Sequence, residues 1–397
     1  MREAHPGDGP ALDAIAVATA DVDAPLAAVH LPSLRANVAD LRRRAGGTRI
    51  RLATKSIRCR GVLREVLGPE LSGDAGVRGV MAYSLEEALW LVGSGCPDVL
   101  LGYPVVHRAA LAALAADRVA LDRVTLMVDD VRQLEIAHRA GVRGARVCLD
   151  VDASLVLGRV HLGVRRSPLR TAAAVRELAG RALDLGFRPV GLMFYEAQVA
   201  GMPDDVRGIG LVKRLSMRRL LGVRAEFAEA LAGVTGERPE IVNSGGSGSL
   251  AESAADPAVT EVTAGSGLYV PSLFDHYRTF TPRPALFFAL PAVRRPAPGM
   301  TTFAYGGYVA SGVPGADRLP VPVRPADLRL VGTEGAGEVQ TPVCGEVGVG
   351  GRAWWRHAKA GELCERFAGL HVVDEVDGRA TLVGTWPTYR GEGKCFG

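Results

Sequence analysis

The 397-residue sequence lacks several features that would place it in a specialised class. Six cysteines occur, at Cys59, Cys96, Cys148, Cys344, Cys364 and Cys395. None of them forms a CxxC pair or another metal-type spacing, and six are too few for a disulfide scaffold. No run of about 18 apolar residues is present, and the first ten residues lack the apolar stretch of a signal peptide. We therefore expect reduced thiols and a soluble, cytoplasmic protein with no membrane partner.

The sequence also has little excess of positive over negative charge. The sequence has 47 Lys+Arg against 43 Asp+Glu, a formal net charge of +4, and no block of like charges. Hydrophobic residues make up 48% and charged residues 23%, the usual proportions of a globular protein, which excludes disorder as the main state. With charge this close to balance, we expect no nucleic-acid partner.

Short apolar runs of strand length alternate with amphipathic helical segments through the first two thirds of the chain. The runs are Arg49–Ala53, Gly79–Tyr83, Val99–Gly102, Val124–Val128, Arg146–Val151, Pro189–Phe194, Glu240–Asn243 and Val259–Ala264. Runs without polar alternation are typical of strands buried on both faces. Eight strand–helix units predict an α/β fold, a (β/α)8 TIM barrel. A doubly wound open sheet is the alternative.

The pattern changes after Phe274, where frequent prolines interrupt any long helix. Short apolar strands lie between the prolines and predict a smaller, mainly antiparallel β domain. We therefore expect a barrel over residues 32–275 and a β domain over residues 276–397, the latter joined by a strand at 25–31. The first two dozen residues are rich in Ala, Asp and Pro and predict a loose leader.

A lysine and two glycine-rich turns indicate the chemistry. Lys55 follows the first predicted barrel strand by two residues, which places its amine at the carboxyl end of the barrel, where barrel enzymes carry their catalytic groups. Asn243–Leu250 and Ala264–Tyr269 follow the seventh and eighth strands, and glycine-rich turns at those places suit a phosphate. A single phosphate facing a lysine suggests pyridoxal 5'-phosphate (PLP).

The sequence resembles the fold-type III PLP enzymes, which combine an alanine racemase-type barrel with a C-terminal β domain. Within them it resembles the D-threonine aldolase and D-serine dehydratase-like group, including its amino acid deaminase/aldolase branch. Nine collinear segments carry the likeness: Leu34–Asn37, Ala53–Ser56, Leu101–Pro104, His161–Pro168, Gly191–Gln198, Asn243–Gly248, Gly265–Gly267, Arg356–Leu363 and Thr388–Gly393.

The resemblance implies roles for individual residues. Lys55 holds PLP as a Schiff base and acts as a base, and Tyr195 lies near it. The residues implied around the phosphate and the rest of the cofactor are Asn243, Ser244, Gly245, Gly246, Gly248, Ser266 and Gly267. His161 stands where relatives have an arginine, and Arg159 or Arg165 is an alternative source of that cation. Glu196 and Gln198 are candidate substrate contacts.

The resemblance also raises the question of a divalent metal, which relatives bind through an H-x-D or H-x-C pattern. Here the matching residues are His357 and Lys359, and a protonated lysine repels a cation. We therefore expect no tight metal. If one is bound, His357, Glu338 and Glu362 are its candidate ligands. Without a metal, His357 and Lys359 are candidate catalytic groups that contact the substrate's β-substituent or carboxylate.

The resemblance as a whole implies a PLP-dependent lyase that acts on a D- or β-hydroxy-α-amino acid, by retro-aldol cleavage or by β-elimination. The small amino-acid substrate is the expected partner, and a homodimer is implied. An amino-acid racemase or epimerase is the alternative, with Tyr305 or Tyr308 as its second base. A non-catalytic PLP-binding protein is a further alternative.

Overall fold

The computed structural model describes residues 8–202, 204–205 and 207–396. In chain order the strands are β1 (Leu26–His30), β2 (Arg49–Ala53), β3 (Val77–Ala82), β4 (Val99–Pro104), β5 (Val124–Val128), β6 (Arg146–Val151), β7 (Leu155–Leu157), β8 (Val160–Leu162), β9 (Arg188–Phe194), β10 (Ile241–Ser244), β11 (Glu261–Ala264), β12 (Leu286–Arg294), β13 (Met300–Ala304), β14 (Val321–Arg324), β15 (Arg329–Leu330), β16 (Gln340–Cys344), β17 (Arg352–Arg356), β18 (Gly369–Val376) and β19 (Arg379–Pro387).

The α-helices, again in chain order, are α1 (Asp8–Ala18), α2 (Leu31–Ala45), α3 (Arg60–Leu67), α4 (Leu85–Gly93), α5 (Arg108–Ala116), α6 (Arg118–Arg123), α7 (Val131–Arg139), α8 (Ala172–Asp184), α9 (Ala197–Ala200), α10 (Ile209–Thr235), α11 (Leu250–Ala254) and α12 (Ser266–Tyr269). Short 3-10 turns cover Thr54–Ser56, Ser272–His276, Ala316–Arg318 and Glu362–Glu365. Within the described ranges, no helix is long and apolar enough to cross a membrane.

The eight predicted barrel strands form a closed parallel barrel in the order β10-β11-β2-β3-β4-β5-β6-β9. The barrel belongs to a compact unit made of residues 41–54, 64–265 and Phe396. Its strands are almost entirely buried, as non-alternating apolar runs require. Closure confirms the TIM barrel and excludes the doubly wound open sheet.

Buried ion pairs lie near the amino-terminal ends of the barrel strands. The Arg51 guanidinium donates to Glu261 at 2.7 Å and to Asp98 at 2.9 Å, and Arg49 donates to Glu261 at 2.8 Å. Burial by itself raises the pKa of Glu261, but the two arginines outweigh it and leave that pKa below its ordinary value. This end of the barrel is therefore occupied by paired charges, which leaves the carboxyl end for chemistry.

A second compact unit comprises residues 8–40, 55–63 and 266–395. Its main sheet has the order β15-β16-β13-β12-β1-β18-β19, and β17 pairs with both β12 and β14. All pairs are antiparallel except β1 with β18, which confirms the mainly antiparallel β domain. Trp355 stacks on Phe288 inside this sheet with ring centroids 6.2 Å apart, so this tryptophan is a core residue. The predicted domain limits stay a prediction.

The expectation of a loose leader is wrong for the described residues 8–24. Residues 8–18 form α1, and its apolar side chains Ala11, Leu12 and Ile15 are buried against Phe287 and other residues of the sheet. Tertiary contacts of this kind override the weak local signal of an Ala- and Asp-rich segment. Strands β14, β16 and β17 were not predicted, because proline and glycine interrupt the apolar pattern around them.

Candidate active site

Four neighbouring barrel strands end beside residues predicted from the sequence to be functional. β9 leads into Tyr195, β10 into a glycine-rich loop (residues 244–249), β11 into Gly265, and β2 into Thr54 and then Lys55. These strands are parallel and adjacent in the order β9-β10-β11-β2. Because the carboxyl ends of parallel strands meet at one edge, the barrel brings these four strand ends together.

Glu196 holds the glycine-rich loop from inside the protein. The residue is fully buried. Its Oε2 accepts hydrogen bonds from Ser244 Oγ at 3.0 Å and from the Gly245 amide at 3.2 Å. Its Oε1 accepts from Ser249 Oγ at 2.8 Å and from Ser253 Oγ at 2.7 Å. Both carboxylate oxygens are therefore engaged by the chain itself, so the predicted contact between Glu196 and a substrate has no support here.

Arg224 and Asp256 complete a buried charge cluster around this carboxylate. Arg224, on α10, donates to Ser244 Oγ at 2.5 Å and to Asp256 at 2.9 Å. Its guanidinium also lies 3.7 Å from Glu196, and all three side chains are at most 2% exposed. Two carboxylates against one guanidinium give the cluster a formal charge of −1, which matters for any anion bound to the loop above it.

The two glycine-rich turns are joined by a hydrogen bond. Ser247 Oγ accepts from the Gly265 amide at 3.4 Å. The backbone of Gly245 has φ +83°, which favours glycine, and a Cβ atom at Gly246 would lie 3.0 Å from the Cβ of Ala200. The loop thus needs small residues to keep its shape, as expected where the backbone approaches a ligand closely.

A cation lies between two tyrosines at the strand ends. The guanidinium carbon of Arg166 is 5.7 Å from the ring centroid of Tyr103, at the end of β4, and 5.3 Å from that of Tyr195. Both distances are within the range of cation–π attraction. Arg166 itself is exposed, so its charge faces the region where β4 and β9 end.

Asp150, on β6, has a pKa well above the ordinary value of an aspartate. Burial raises its pKa, the neighbouring carboxylates of Asp129 and Asp152 raise it further, and Arg166 opposes the shift, which leaves the pKa at about 7. A carboxyl group of this kind holds its proton near neutral pH. The sequence contained no signal for it, because the effect depends on which side chains the barrel brings near one another.

The other group of predicted residues belongs to the β-sheet unit and is built around the segment that starts at Lys55. Ser56 Oγ lies 3.2 Å from Ser266 Oγ, and the buried Tyr269 hydroxyl donates to the Ile57 carbonyl at 3.0 Å. The turn that follows β11 is therefore attached to the residues that follow β2. Gly267 is buried within the same turn.

Gly361 packs directly against the backbone of Lys55. Its φ is +88°, and a Cβ atom there would lie 1.9 Å from the Lys55 carbonyl oxygen and 2.8 Å from the Ser56 Cα. The same carbonyl accepts a hydrogen bond from Arg58 Nε at 3.1 Å. Gly361 thus lies against the backbone of Lys55 and Ser56 with no room for a larger residue at its position.

His357 is buried and neutral. It is 2% exposed, and within the described chain neither of its ring nitrogens has a hydrogen-bond partner. Burial lowers its pKa to about 3, with a further contribution from Arg356, whose guanidinium pairs with Asp275 at 2.8 Å. An unprotonated imidazole with open nitrogens is suited to hydrogen bonding or to metal coordination.

Lys359 is anchored by its neighbours. Its Nζ donates to Ser311 Oγ at 2.6 Å and lies 4.0 Å from Glu362, which in turn accepts the Ser311 amide at 3.0 Å. Glu338 is exposed. The structure, over the residues it describes, shows no group of three His, Cys, Asp or Glu side chains that could hold a metal ion.

The remaining predicted residues are placed as follows. The Asn243 amide donates to Glu261 at 2.8 Å and accepts from Thr263 at 2.9 Å, inside the barrel. Gly248 is buried in the glycine-rich loop. His161 lies on the β7–β8 hairpin with Nε2 3.4 Å from the Val164 carbonyl.

Gln198 is buried, and its amide nitrogen donates to the Ala153 carbonyl at 2.8 Å. Arg159 and Arg165 are both exposed. Of the tyrosines considered for a racemase, Tyr308 packs edge-on against Phe288 and Phe367, and Tyr305 is exposed. The roles of all these residues in binding a cofactor or in catalysis stay predictions.

Comparison with known proteins assigns this chain to one family. Residues 29–272 match the family described as alanine racemase, N-terminal domain, over more than half of the chain. The chain belongs to this family. A D-threonine aldolase from Arthrobacter sp. is 29% identical to this alanine racemase-type chain over 193 residues. That match covers 48% of the chain and 47% of the aldolase, so the two are matched over about half of their lengths.

Solved structures of other proteins share the fold of this family member. The D-threonine aldolase of Filomicrobium marinum has a TM-score of 0.76 at 22% identity, covering 94% of this chain and 96% of its own. The D-threo-3-hydroxyaspartate dehydratase of Delftia sp. HT23 has a TM-score of 0.68 at 19% identity, covering 92% and 97%. At these identities the likeness shows the fold. It confirms the alanine racemase-type barrel with its C-terminal β domain.

Arg166 and Asp150 were missed from the sequence alone. A signal for Arg166 was present, because Tyr103 and Tyr195 are aromatic residues at the ends of two barrel strands and two adjacent arginines follow β8. Nothing in the sequence, however, showed which of the two arginines meets the tyrosines. That choice depends on the path of the chain between β8 and α8.

Proposed function

We propose that this chain is a PLP-dependent lyase of the D-threonine aldolase/D-serine dehydratase type, acting on a D- or β-hydroxy-α-amino acid. The family match and the similarity to two kinds of lyase support an enzyme of this class. The observation that carries the proposal is the arrangement of strand ends. The strand that leads into Lys55 is adjacent to the one that leads into Gly265, and Gly265 is hydrogen-bonded to the glycine-rich loop.

The residues present fit the cofactor. Lys55 would bind its aldehyde, and donors of the two glycine-rich turns, including Gly248 and Ser266, would bind its phosphate. The crowding at Gly246, where a Cβ atom would meet Ala200, is typical of backbone that lies close to a ligand. When bound, PLP supplies the electron sink that makes bonds to the substrate Cα labile.

The chain's own residues then handle protons and orientation. Lys55, at the carboxyl end of β2, is the proposed base that would take up the Cα proton in a β-elimination. In a retro-aldol cleavage the bond that breaks is Cα–Cβ, and the proton to be removed is that of the substrate's β-hydroxyl group. Tyr195, held beside Arg166, is proposed to orient the bound groups. Tyr269 and Gly361 fix the backbone from the Lys55 carbonyl to Ile57, so that the chain at Lys55 is held by packing.

We further propose that the reaction needs no tightly bound divalent metal. His357 is neutral and has open nitrogens, but the side chain two residues along is Lys359, whose ammonium group repels a cation. His357 and Lys359 are proposed to contact the β-substituent or the carboxylate of the substrate instead. A homodimer remains part of the proposal, on the basis of the family resemblance.

The test is the visible spectrum of the purified protein before and after adding D-threonine, D-serine and D-threo-3-hydroxyaspartate, with the L-enantiomers as controls. We expect an absorption band that is absent in Lys55→Ala and retained in Lys213→Ala, a lysine on α10 that pairs with Asp204. We also expect an aldehyde or keto acid from D-substrates only. A protein that binds no PLP, or that interconverts enantiomers without releasing either product, would refute the lyase.

A further inference from the structure

The carboxylate of Glu196 connects the beginning and the end of the glycine-rich loop. One oxygen binds Ser244 and Gly245, the first two residues of the loop, at 3.0 and 3.2 Å. The other binds Ser249, the last residue of the loop, at 2.8 Å, and Ser253 on α11 at 2.7 Å. The loop therefore closes around a single buried side chain, and its shape depends on four hydrogen bonds to that side chain.

These bonds determine which loop atoms are available to a ligand. The Ser244 hydroxyl is fully buried, donates to Glu196 and accepts from Arg224 at 2.5 Å. The Gly245 amide is also directed at Glu196. Although the sequence resemblance implies that both residues bind phosphate, in this arrangement they support the loop from beneath and leave the phosphate to the other donors of the two turns.

The net negative charge of the cluster opposes anion binding, so an experiment can distinguish an electrostatic role of Glu196 from a geometric one. Glu196, Arg224 and Asp256 together carry a formal charge of −1 directly beneath a loop proposed to bind a phosphate dianion. If electrostatics alone governed binding, removing the charge of Glu196 would strengthen the binding of phosphate. If the geometry of the loop governs binding, the same change would weaken it, because a side-chain amide cannot accept from four donors.

We infer that Glu196 is a positioning residue that shapes loop 244–249 for the phosphate group of the cofactor. It touches neither substrate nor cofactor and acts through Ser244, Gly245 and Ser249. The inference rests on the proposed function, since it assumes that the loop binds the phosphate of PLP. It goes beyond that function by assigning the affinity for phosphate to a buried carboxylate that would otherwise repel it.

The test compares PLP with pyridoxal, which lacks the phosphate, on the full-length protein stripped of cofactor. Dissociation constants are measured by absorbance for the wild type, Glu196→Gln and Glu87→Gln. Glu87 is an equally buried glutamate of the barrel unit that accepts a backbone amide, that of Tyr83, at 2.7 Å. We expect Glu196→Gln to weaken PLP by about tenfold, or about 1.4 kcal/mol, and to leave pyridoxal unchanged, whereas Glu87→Gln leaves the ratio of the two constants unaltered.

The outcomes separate this inference from the proposed function. A wild type that binds neither compound contradicts the proposed function itself. A wild type that prefers PLP, together with a Glu196→Gln variant that binds PLP equally well or more tightly, overturns the inference alone. If Glu196→Gln does not fold, Ser253→Ala removes one of the four bonds from outside the loop. A selective loss of PLP affinity in that variant supports the inference, and an equal loss for PLP and pyridoxal overturns it.

Discussion

Gly361 lies so close to Lys55 that a single methyl group cannot be added between them: its Cβ would be 1.9 Å from the lysine's carbonyl oxygen. The contact joins two segments that are more than 300 residues apart in the sequence. It shows that the position of Lys55 depends on the segment that also carries His357 and Lys359.

The first prediction tests this contact. Gly350→Ala places a non-glycine residue at positive φ, since Gly350 has φ +85°, but it creates no overlap because nothing lies within 4 Å of the added Cβ. Gly361→Ala also places a non-glycine residue at positive φ, and in addition its Cβ overlaps the backbone of Lys55. We expect Gly350→Ala to lower the free energy of unfolding by about 1 kcal/mol. We expect Gly361→Ala to lower it by about 2 kcal/mol more and to abolish the absorption band of bound PLP. Equal denaturation midpoints and spectra for the two variants would contradict the prediction.

The second prediction concerns the pH dependence of stability. Between about pH 4 and about pH 7, the folded chain keeps a proton on Asp150 that the unfolded chain has released, so this residue makes stability fall as pH rises, by about 1.4 kcal/mol per unit. Asp150→Asn removes that dependence. Urea denaturation across this range should show the variant gaining stability relative to the wild type as pH increases. A constant difference between the two would disprove the shift.

A third prediction follows from the neighbours of that carboxyl group. The Asp129 carboxylate raises the pKa of Asp150, and Arg166 lowers it. Asp129→Asn should therefore move the midpoint of the pH dependence downward, and Arg166→Met should move it upward. The same denaturation series measures both midpoints. If both variants move the midpoint in the same direction, one of these two charges does not lie close to Asp150.

The fourth prediction distinguishes the two adjacent arginines. Arg166 lies against Tyr103 and Tyr195, whereas Arg165 is exposed. If the cation beside Tyr195 serves the reaction, Arg166→Met should lower kcat/KM by about tenfold, a loss of about 1.4 kcal/mol. Arg165→Met should have a smaller effect. The reverse order would assign the cation to Arg165.

The fifth prediction addresses the metal. Because Lys359 places an ammonium group two residues after His357, we expect turnover to be unchanged after dialysis against a chelator. Lys359→Met should reduce kcat, since the proposed contact to the substrate is lost. Rates are measured with the same D-substrate before and after metal analysis of the protein. Activity that disappears with the chelator and returns with a divalent ion would refute the metal-free proposal.

Much of the barrel could be predicted because its signal is local. All eight strands appear in the structure within a few residues of their predicted limits, since a strand buried on both faces must be apolar throughout. The α1 helix was missed because its stability comes from burying Leu12 and Ile15 against a distant sheet. Strands β16 and β17 were missed because proline and glycine interrupt the apolar pattern around them.

The sequence by itself determined the composition of the candidate site: a lysine after the first barrel strand, glycine-rich turns after the seventh and eighth strands, and a lysine two residues after His357. These are features of residue type and order, which the chain carries before it folds. The tertiary structure alone decided the direction of each side chain. It turned Glu196 under the loop, set Arg166 rather than Arg165 between two tyrosines, and raised the pKa of Asp150. Burial and the distances between charges arise from packing, so no reading of neighbouring residues supplies them.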